Sequence, residues 1–551
     1  MSGYSFLTSG APRQPGESKW KYHIRKLFTL KTLTSLDEDR QNSNLAKTLN
    51  LYDLIMISLG AIIGSGIFVL TGEAAATKSG PAVVISFLLA GVTASFAALS
   101  YCELTSMIPI SGSSYTFVYA TMGELIAWII GWDLILEYLV GAAAVAVGWS
   151  GYFVSFFADC GVILSKSWTS APVKYDIALG QFHIVPNAYF NVPAFLVVIF
   201  LTILLTIGIK ESARVNTTVV SIKLLVIIIF CIAAGTRVNP DNYKPFIPEN
   251  EGTFSRFGFT GVLAGTSVVF FAFIGFDSIS TTAQETKNPQ RDVPIAIMTS
   301  FAIVSVVYVA VSLVLVGVVP YRLLASPAPL AVAADMTGMK WLGIIVDLGA
   351  VCGLISVILV SLMGQPRIFL AMAKQVSYHF VTSVQNLETK KVLIIFSSSD
   401  GLFLPSLGSR IHPRFQTPYL TTILCGTVCA ITAALFPIDI LSELTSVGTL
   451  LAFFFVNIGV MVLRLIAPDA PRKFKVPGGP VFIPITGASL NLLLLATASR
   501  NSIIRLFIWM AIGLLVYVFY GRRHSKANNS TRNVDLDNEM MKTNVNKEAG
   551  L

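Results

Sequence analysis

Apolar stretches long enough to cross a membrane recur along the chain, each closed off by polar or turn residues. They fall at 53–72, 82–101, 123–158, 191–208, 217–235, 258–281, 297–319, 343–372, 418–436, 441–463, 480–497 and 502–520. About 20 helical residues span a hydrocarbon core, so the pattern predicts an all-α polytopic membrane protein with about 12 transmembrane helices. The stretches 123–158 and 343–372 exceed that length, which predicts tilted helices or interfacial extensions. The first of them is also long enough to be two spans. The first 50 residues lack an apolar core of signal-peptide type, so the first span is expected to act as an uncleaved insertion signal.

Two of the crossings are interrupted. The first contains Gly60, Gly64, Gly66 and Gly72 in the run Leu59 to Gly72, and the sixth reads Phe270-Phe271-Ala272-Phe273-Ile274-Gly275-Phe276-Asp277-Ser278. A helix broken at membrane depth leaves bare N–H and C=O groups, and such a break survives only where it lines a cavity or binds something. The breaks lie five crossings apart. That spacing predicts a 5+5 inverted repeat with discontinuous first helices and two additional C-terminal helices.

The breaks suggest a chemistry. Free N–H groups at Ile63, Gly64, Ser65 and Gly66 suit a carboxylate, since they sit at the positive end of a half-helix. Carbonyls around Phe270, Ala272 and Phe273 suit an ammonium, and Phe273 or Phe276 could cover the ligand. Together these groups would read an α-amino acid. The plainer alternative is that the glycines serve only close helix packing and the aromatics only the core.

Ionisable residues inside spans point to function by default. Asp133 and Glu137 are four apart and share a helix face. Like charges so placed must be separated by their surroundings or share a proton, which makes Glu137 a site for a cationic side chain or a proton. An internal hydrogen bond is the competing role. Lys223 in the fifth span fits a proton-responsive switch in place of a sodium ion, or else a snorkelling lysine. Asp277 could cap the unwound stretch or pair with the first helix. Glu103 and Glu124 lie near helix ends and are expected to reach water. The run Glu285 to Pro294, with two prolines and mixed charge, predicts a firm loop with a role in gating.

Composition narrows the class. Hydrophobic residues make up 54% of the 551 and charged residues 13%, about half the charge of a soluble domain. The net charge of +9 comes from tails and short loops, so it speaks for topology and not for nucleic acid. Lys19, Lys21, Arg25, Lys26, Lys31, Arg40 and Lys47 precede the first span. Lys210, Arg214, Lys287, Arg291, Arg464, Arg472, Lys473, Lys475, Arg522, Arg523 and Lys526 fall on the same side. The positive-inside rule places both termini in the cytosol. The six cysteines form no metal-like cluster, and no nucleophile or cofactor motif points to an enzyme. A channel and a non-transporting receptor are the remaining rivals to a carrier.

Several segments in combination resemble the cationic amino acid transporter family, within the amino acid–polyamine–organocation (APC) superfamily. They are the 59–72 run, Ser79 to Ala82, Glu137-Tyr138, Phe273 to Asp277, Glu285 to Pro294, Arg367 to Ala373 and Tyr520 to Ser525. The likeness extends over Thr48–His524. It implies a LeuT-like fold, alternating access without ATP hydrolysis or cofactors, and amino acid substrates. Arginine, lysine or ornithine are the common ones, and some members carry neutral amino acids. It also implies that Lys223 matches the lysine of proton-coupled bacterial members and that Glu137 lies near the substrate. The expected domains are a disordered cytosolic tail 1–46, a permease domain 47–525 and a disordered tail 526–551 in a plasma-membrane rather than vacuolar protein. One departure stands out. The family pattern stops after Lys374 and resumes at Asp400, so 375–399 reads as an insertion or an unspliced intron. Its removal is expected to leave transport equal or better.

Overall fold

Backbone in a bilayer has no water to bond, so long apolar segments close their hydrogen bonds internally as helices. The structure, a computed structural model, describes residues 30, 47, 49–110, 112–176, 181–207, 210–377 and 419–521. The main helices are α1 Leu51–Ile62, α2 Val83–Met107, α3 Ser113–Met122, α4 Glu124–Asp159, α5 Val192–Ile207, α6 Lys210–Gly235 and α7 Gly258–Val269. They continue as α8 Pro289–Val318, α9 Pro329–Met336, α10 Lys340–Ser377, α11 Tyr419–Leu435, α12 Ile438–Ile466, α13 Phe482–Thr497 and α14 Arg500–Val516. A two-stranded antiparallel hairpin, β1 Val173–Asp176 with β2 Gln181–Ile184, decorates the loop after α4.

Among the described residues, eight helical stretches are long and apolar enough to cross a membrane, and α5, α11 and α13 are shorter apolar helices. The chain is therefore an integral, multi-pass membrane protein. Stretch 123–158 is the single helix α4. The first crossing starts on a capping box, in which Asn50 Oδ1 accepts from the Asp53 amide and Asp53 Oδ2 from the Asn50 amide. Long-range packing joins the two halves of the chain, α4 with α10 and α12 and α2 with α8, in the manner of an inverted repeat.

Two expectations change. The run Glu285 to Pro294 is not wholly a loop, because α8 begins at Pro289. Proline is well placed in a first turn, where its missing N–H would have had no partner. Glu124 is buried and accepts from Tyr517 at 3.3 Å, and Glu103 does not reach water either. It is 1% exposed, and its carboxylate holds Arg464, Arg472 at 3.3 Å and the Val476 amide at 2.8 Å. Breaking such a buried pair costs about 3–5 kcal/mol. Residues 1–29, 378–418 and 522–551 lie outside the described residues. So do the tails, residue 30 apart, and nearly all of the 375–399 segment, whose first three residues end α10.

Candidate functional site

The first crossing stops at Ile62. Ile63 turns extended (ψ 94°), and the chain resumes as a π-helical turn, Gly66–Leu70. Among the described residues the amides of Gly64, Ser65 and Gly66 donate to no backbone carbonyl, whereas the Gly64 carbonyl accepts from Ile67 and Phe68. The Ser65 hydroxyl is buried without a partner. Polar groups so placed, at the start of a half-helix, form a ready anion site.

The sixth crossing breaks beside it. α7 ends in a 3₁₀ turn, Phe270–Phe273, and Ile274 is extended. Gly275 takes φ +118°, and a Cβ there would lie 2.9 Å from the Ala61 carbonyl oxygen. At Gly66 a Cβ would come within 2.3 Å of the Ala272 Cα. Both glycines therefore let the two broken segments meet backbone to backbone. Close packing at these glycines and the cavity between the breaks occur together. Tyr308 of α8 ties the breaks together. Its hydroxyl lies 2.8 Å from the Ile62 carbonyl oxygen and 2.7 Å from that of Ala272, sharing one proton between them.

Between the breaks lies a cavity. Ala61, Ile62, Gly64, Ser65 and Gly66 border it from one side, and Phe271, Ile274, Gly275, Asp277 and Ser278 from the other. Glu137, Tyr138, Gly141 and Val145 of α4, Val357 and Ser361 of α10 and Thr445 of α12 complete it. Of the residues singled out in the sequence, Gly64, Ser65, Gly66, Glu137 and Asp277 border the cavity. Ile63, Phe270, Ala272, Phe273 and Phe276 stand behind its wall. Phe273 packs edge-on to Tyr308 at 5.2 Å, and Phe276 lies 5.0 Å from Phe453. The Ala272 carbonyl is taken by Tyr308, while those of Ala61 and Ile274, at the cavity border, accept no backbone N–H among the described residues.

Two ionic groups flank the first break. Lys223 of α6 is wholly buried. Its ammonium donates to the carbonyls of Ile63 (2.8 Å) and Gly60 (3.0 Å) and to Ser356 Oγ (2.9 Å). Three donors meet three acceptors at the negative end of α1, so Lys223 does not snorkel. Across the cavity, Asp277 Oδ2 accepts from Tyr138 (3.0 Å) and Ser113 (3.3 Å), while its Oδ1 and Glu137 Oε2 are buried without partners. Further along α10, Arg367 donates to Glu285 at 2.7 Å. The Leu49 amide bonds the Glu285 carbonyl, and the Lys287 amide bonds that of Leu49. These bonds clip the entry to α1 onto the segment before α8.

A family description for amino acid permeases matches residues 49–520. The chain belongs to the amino acid permease family. The permease is 43% identical to the branched-chain amino acid permease BcaP of Bacillus subtilis, over 88% of this chain and 95% of that protein. It is 38% identical to the methylthioribose transporter of the same organism, over 92% of this chain and all of that protein. With the vacuolar cationic amino acid transporter 4 of Arabidopsis thaliana it shares 37% identity, over 77% of this chain and 64% of that protein. The likeness to cationic transporters thus belongs to a wider one, at the level of the APC-superfamily permeases. Membership makes the permease a polytopic helical secondary transporter of amino acids, and points away from enzymatic catalysis.

The sequence did not single out Tyr308 or Ser356, and it read Phe271 as packing, whereas Phe271 borders the cavity. A tyrosine inside an apolar run and a serine three residues after Gly353 carry no signal of their own, since their roles depend on segments far away in the chain.

Proposed function

We propose that the permease carries cationic amino acids, such as arginine, lysine or ornithine, by proton-coupled alternating access. The α-carboxylate would rest on the amides of Gly64 to Gly66. The α-ammonium would lie against the carbonyls of Ala61 and Ile274, with the side-chain cation toward Glu137 and Asp277. The observation that carries this reading is the bare, buried Glu137 Oε2 at the cavity wall. An uncompensated buried carboxylate is costly, and a cationic ligand would supply the missing partner. Lys223 would act as the proton-responsive switch, because losing its proton would release the carbonyl end of α1, and Asp277 would serve in coupling or as a structural partner.

In this reading the topology is a LeuT-like 5+5 repeat with two further helices, twelve spans in all, with both termini cytosolic in the plasma membrane. The 57-residue stretch Leu51–Met107 supports the count. At about 1.5 Å per residue it is far too long for one crossing, and it divides at Gly80 and Pro81.

A neutral substrate is the second reading. The apolar wall of Ile62, Val145, Ile274 and Val357 favours it, as does the likeness to a branched-chain permease. Competition of labelled arginine against alanine and leucine in reconstituted vesicles, with and without an inward proton gradient, separates the two. Arginine uptake driven by the gradient is expected. Leucine uptake that excess arginine does not inhibit would overturn the cationic reading, and binding without flux would make the protein a receptor.

A further inference from the structure

Asp133 has no place in the binding scheme above, yet it is the more isolated of the two acids on α4. It is wholly buried, and neither carboxylate oxygen has a hydrogen-bond partner. It faces α12 at Gly448, where a Cβ would lie 2.7 Å from Oδ1, so the side chain has room only because that position is glycine. Glu137 lies one turn further along the same face, about 6 Å along the axis, and its Oε2 is also bare.

Among the described residues, the packed elements bring no unpaired cation to this pair. On α10, Gln365 donates to the Ile135 carbonyl, and Arg367 is ion-paired to Glu285 through Nη2, with its Nη1 buried and unpartnered. From α3, Tyr115 packs at Gly131 and stacks on Tyr119. From α12 come Gly448 and the hydroxyl residues Thr445 and Thr449. Trp509 of α14 stacks on Trp132. On the far side of Glu137 stand Asp277 and Tyr138. Glu124, at the start of α4, accepts from Tyr517 at 3.3 Å. Two buried carboxylates one turn apart, with no unpaired cation beside them among the described residues, cannot both be ionised at an acceptable cost. A proton is the ligand small enough to satisfy them.

We propose that Asp133 and Glu137 form one proton-binding site, through which the cavity exchanges a proton with the membrane face that carries the start of α4. When a ligand engages Glu137, the Glu137 proton leaves through Asp133 to that face, and one returns by the same route when the ligand leaves, with Asp133 protonated at the end of each passage. No bond other than O–H forms or breaks, and the proton passes to or from water at that face. The inference rests on the reading of the cavity as the substrate site.

The test uses the full chain in sealed vesicles, with the pH set independently on the two sides. Uptake of labelled arginine and leucine is measured for the wild type, Asp133→Asn and Asp133→Glu. A single proton makes the wild-type rate depend on the pH of the α4-start side, by up to about tenfold per unit. Asp133→Asn flattens that dependence, and Asp133→Glu restores it. Full dependence in Asp133→Asn, no dependence in the wild type, or an Asp133→Glu variant as flat as Asp133→Asn overturns the proposal. Infrared titration of purified protein reads the site without transport. The carbonyl band of protonated buried acids is expected to lose intensity in Asp133→Asn relative to the wild type and Asp133→Glu, and a band unchanged in Asp133→Asn overturns the proposal. Vesicles that take up no amino acid would sink the substrate reading alone, and the infrared result would still decide the proton site.

Discussion

Lys223 and the Glu137–Asp277 pair stand on opposite sides of the same broken helix, and they are finished differently. The lysine has an acceptor for each of its three donors. The acids keep Glu137 Oε2 and Asp277 Oδ1 bare in equal burial. A complete polar centre is part of the folded structure, and its removal exposes what it satisfied. On the proposed reading, an incomplete one at a cavity wall is completed by the ligand, so its removal would relieve the fold while harming binding. Stability and uptake should therefore move together at the first and apart at the second.

The largest effect is expected at the complete centre. Lys223→Met strips the Gly60 and Ile63 carbonyls of their donor, costs about 3 kcal/mol of stability and lowers uptake about a hundredfold. Thermal melting and vesicle uptake measured on one preparation check this, and a variant that melts normally breaks the contrast. Glu137→Gln comes next. Losing a charged partner costs arginine about 1.5–3 kcal/mol of binding, while the melting temperature holds or rises. A fall in both would make Glu137 a structural residue.

The contrast shows what was legible in the sequence. Glycines clustered in the first span, and the run Phe270 to Ser278 around Gly275 five spans later, located both breaks, because such interruptions at membrane depth need a reason. Buried charge located Lys223, Glu137 and Asp277. The sixth-span wall was not readable in detail. Its 3₁₀ turn, Phe270–Phe273, advances about 120° per residue against 100° in an α-helix, so helical phase carried across it names the wrong faces. Phe271 and Ile274 border the cavity, while Phe270, Phe273 and Phe276 pack behind it. Glu103 was misjudged for a related reason. Its position near a helix end suggested water, but Arg464 and Arg472 arrive from more than 350 residues away along the chain.

Smaller changes sharpen the comparison. Tyr308→Phe removes the hydroxyl joining the Ile62 and Ala272 carbonyls. A loss of about 1 kcal/mol and a fall in uptake of about fivefold are expected, measured as for Lys223. The smallest effect lies outside the spans. Partial burial and the neighbouring Asp159 raise the Asp335 carboxyl above its ordinary value of 3.8. A raised acid favours the fold below that ordinary value and loses the benefit as pH climbs through the raised one. Asp335→Asn should therefore raise the melting temperature slightly at neutral pH and leave it unchanged in acid.

The most direct measurement is an experimental structure with arginine bound. The carboxylate is expected within hydrogen-bond distance of the Gly64, Ser65 and Gly66 amides, with the guanidinium turned toward Glu137. Arginine seated elsewhere, or first and sixth helices running unbroken past those residues, would contradict the carrier mechanism at its root.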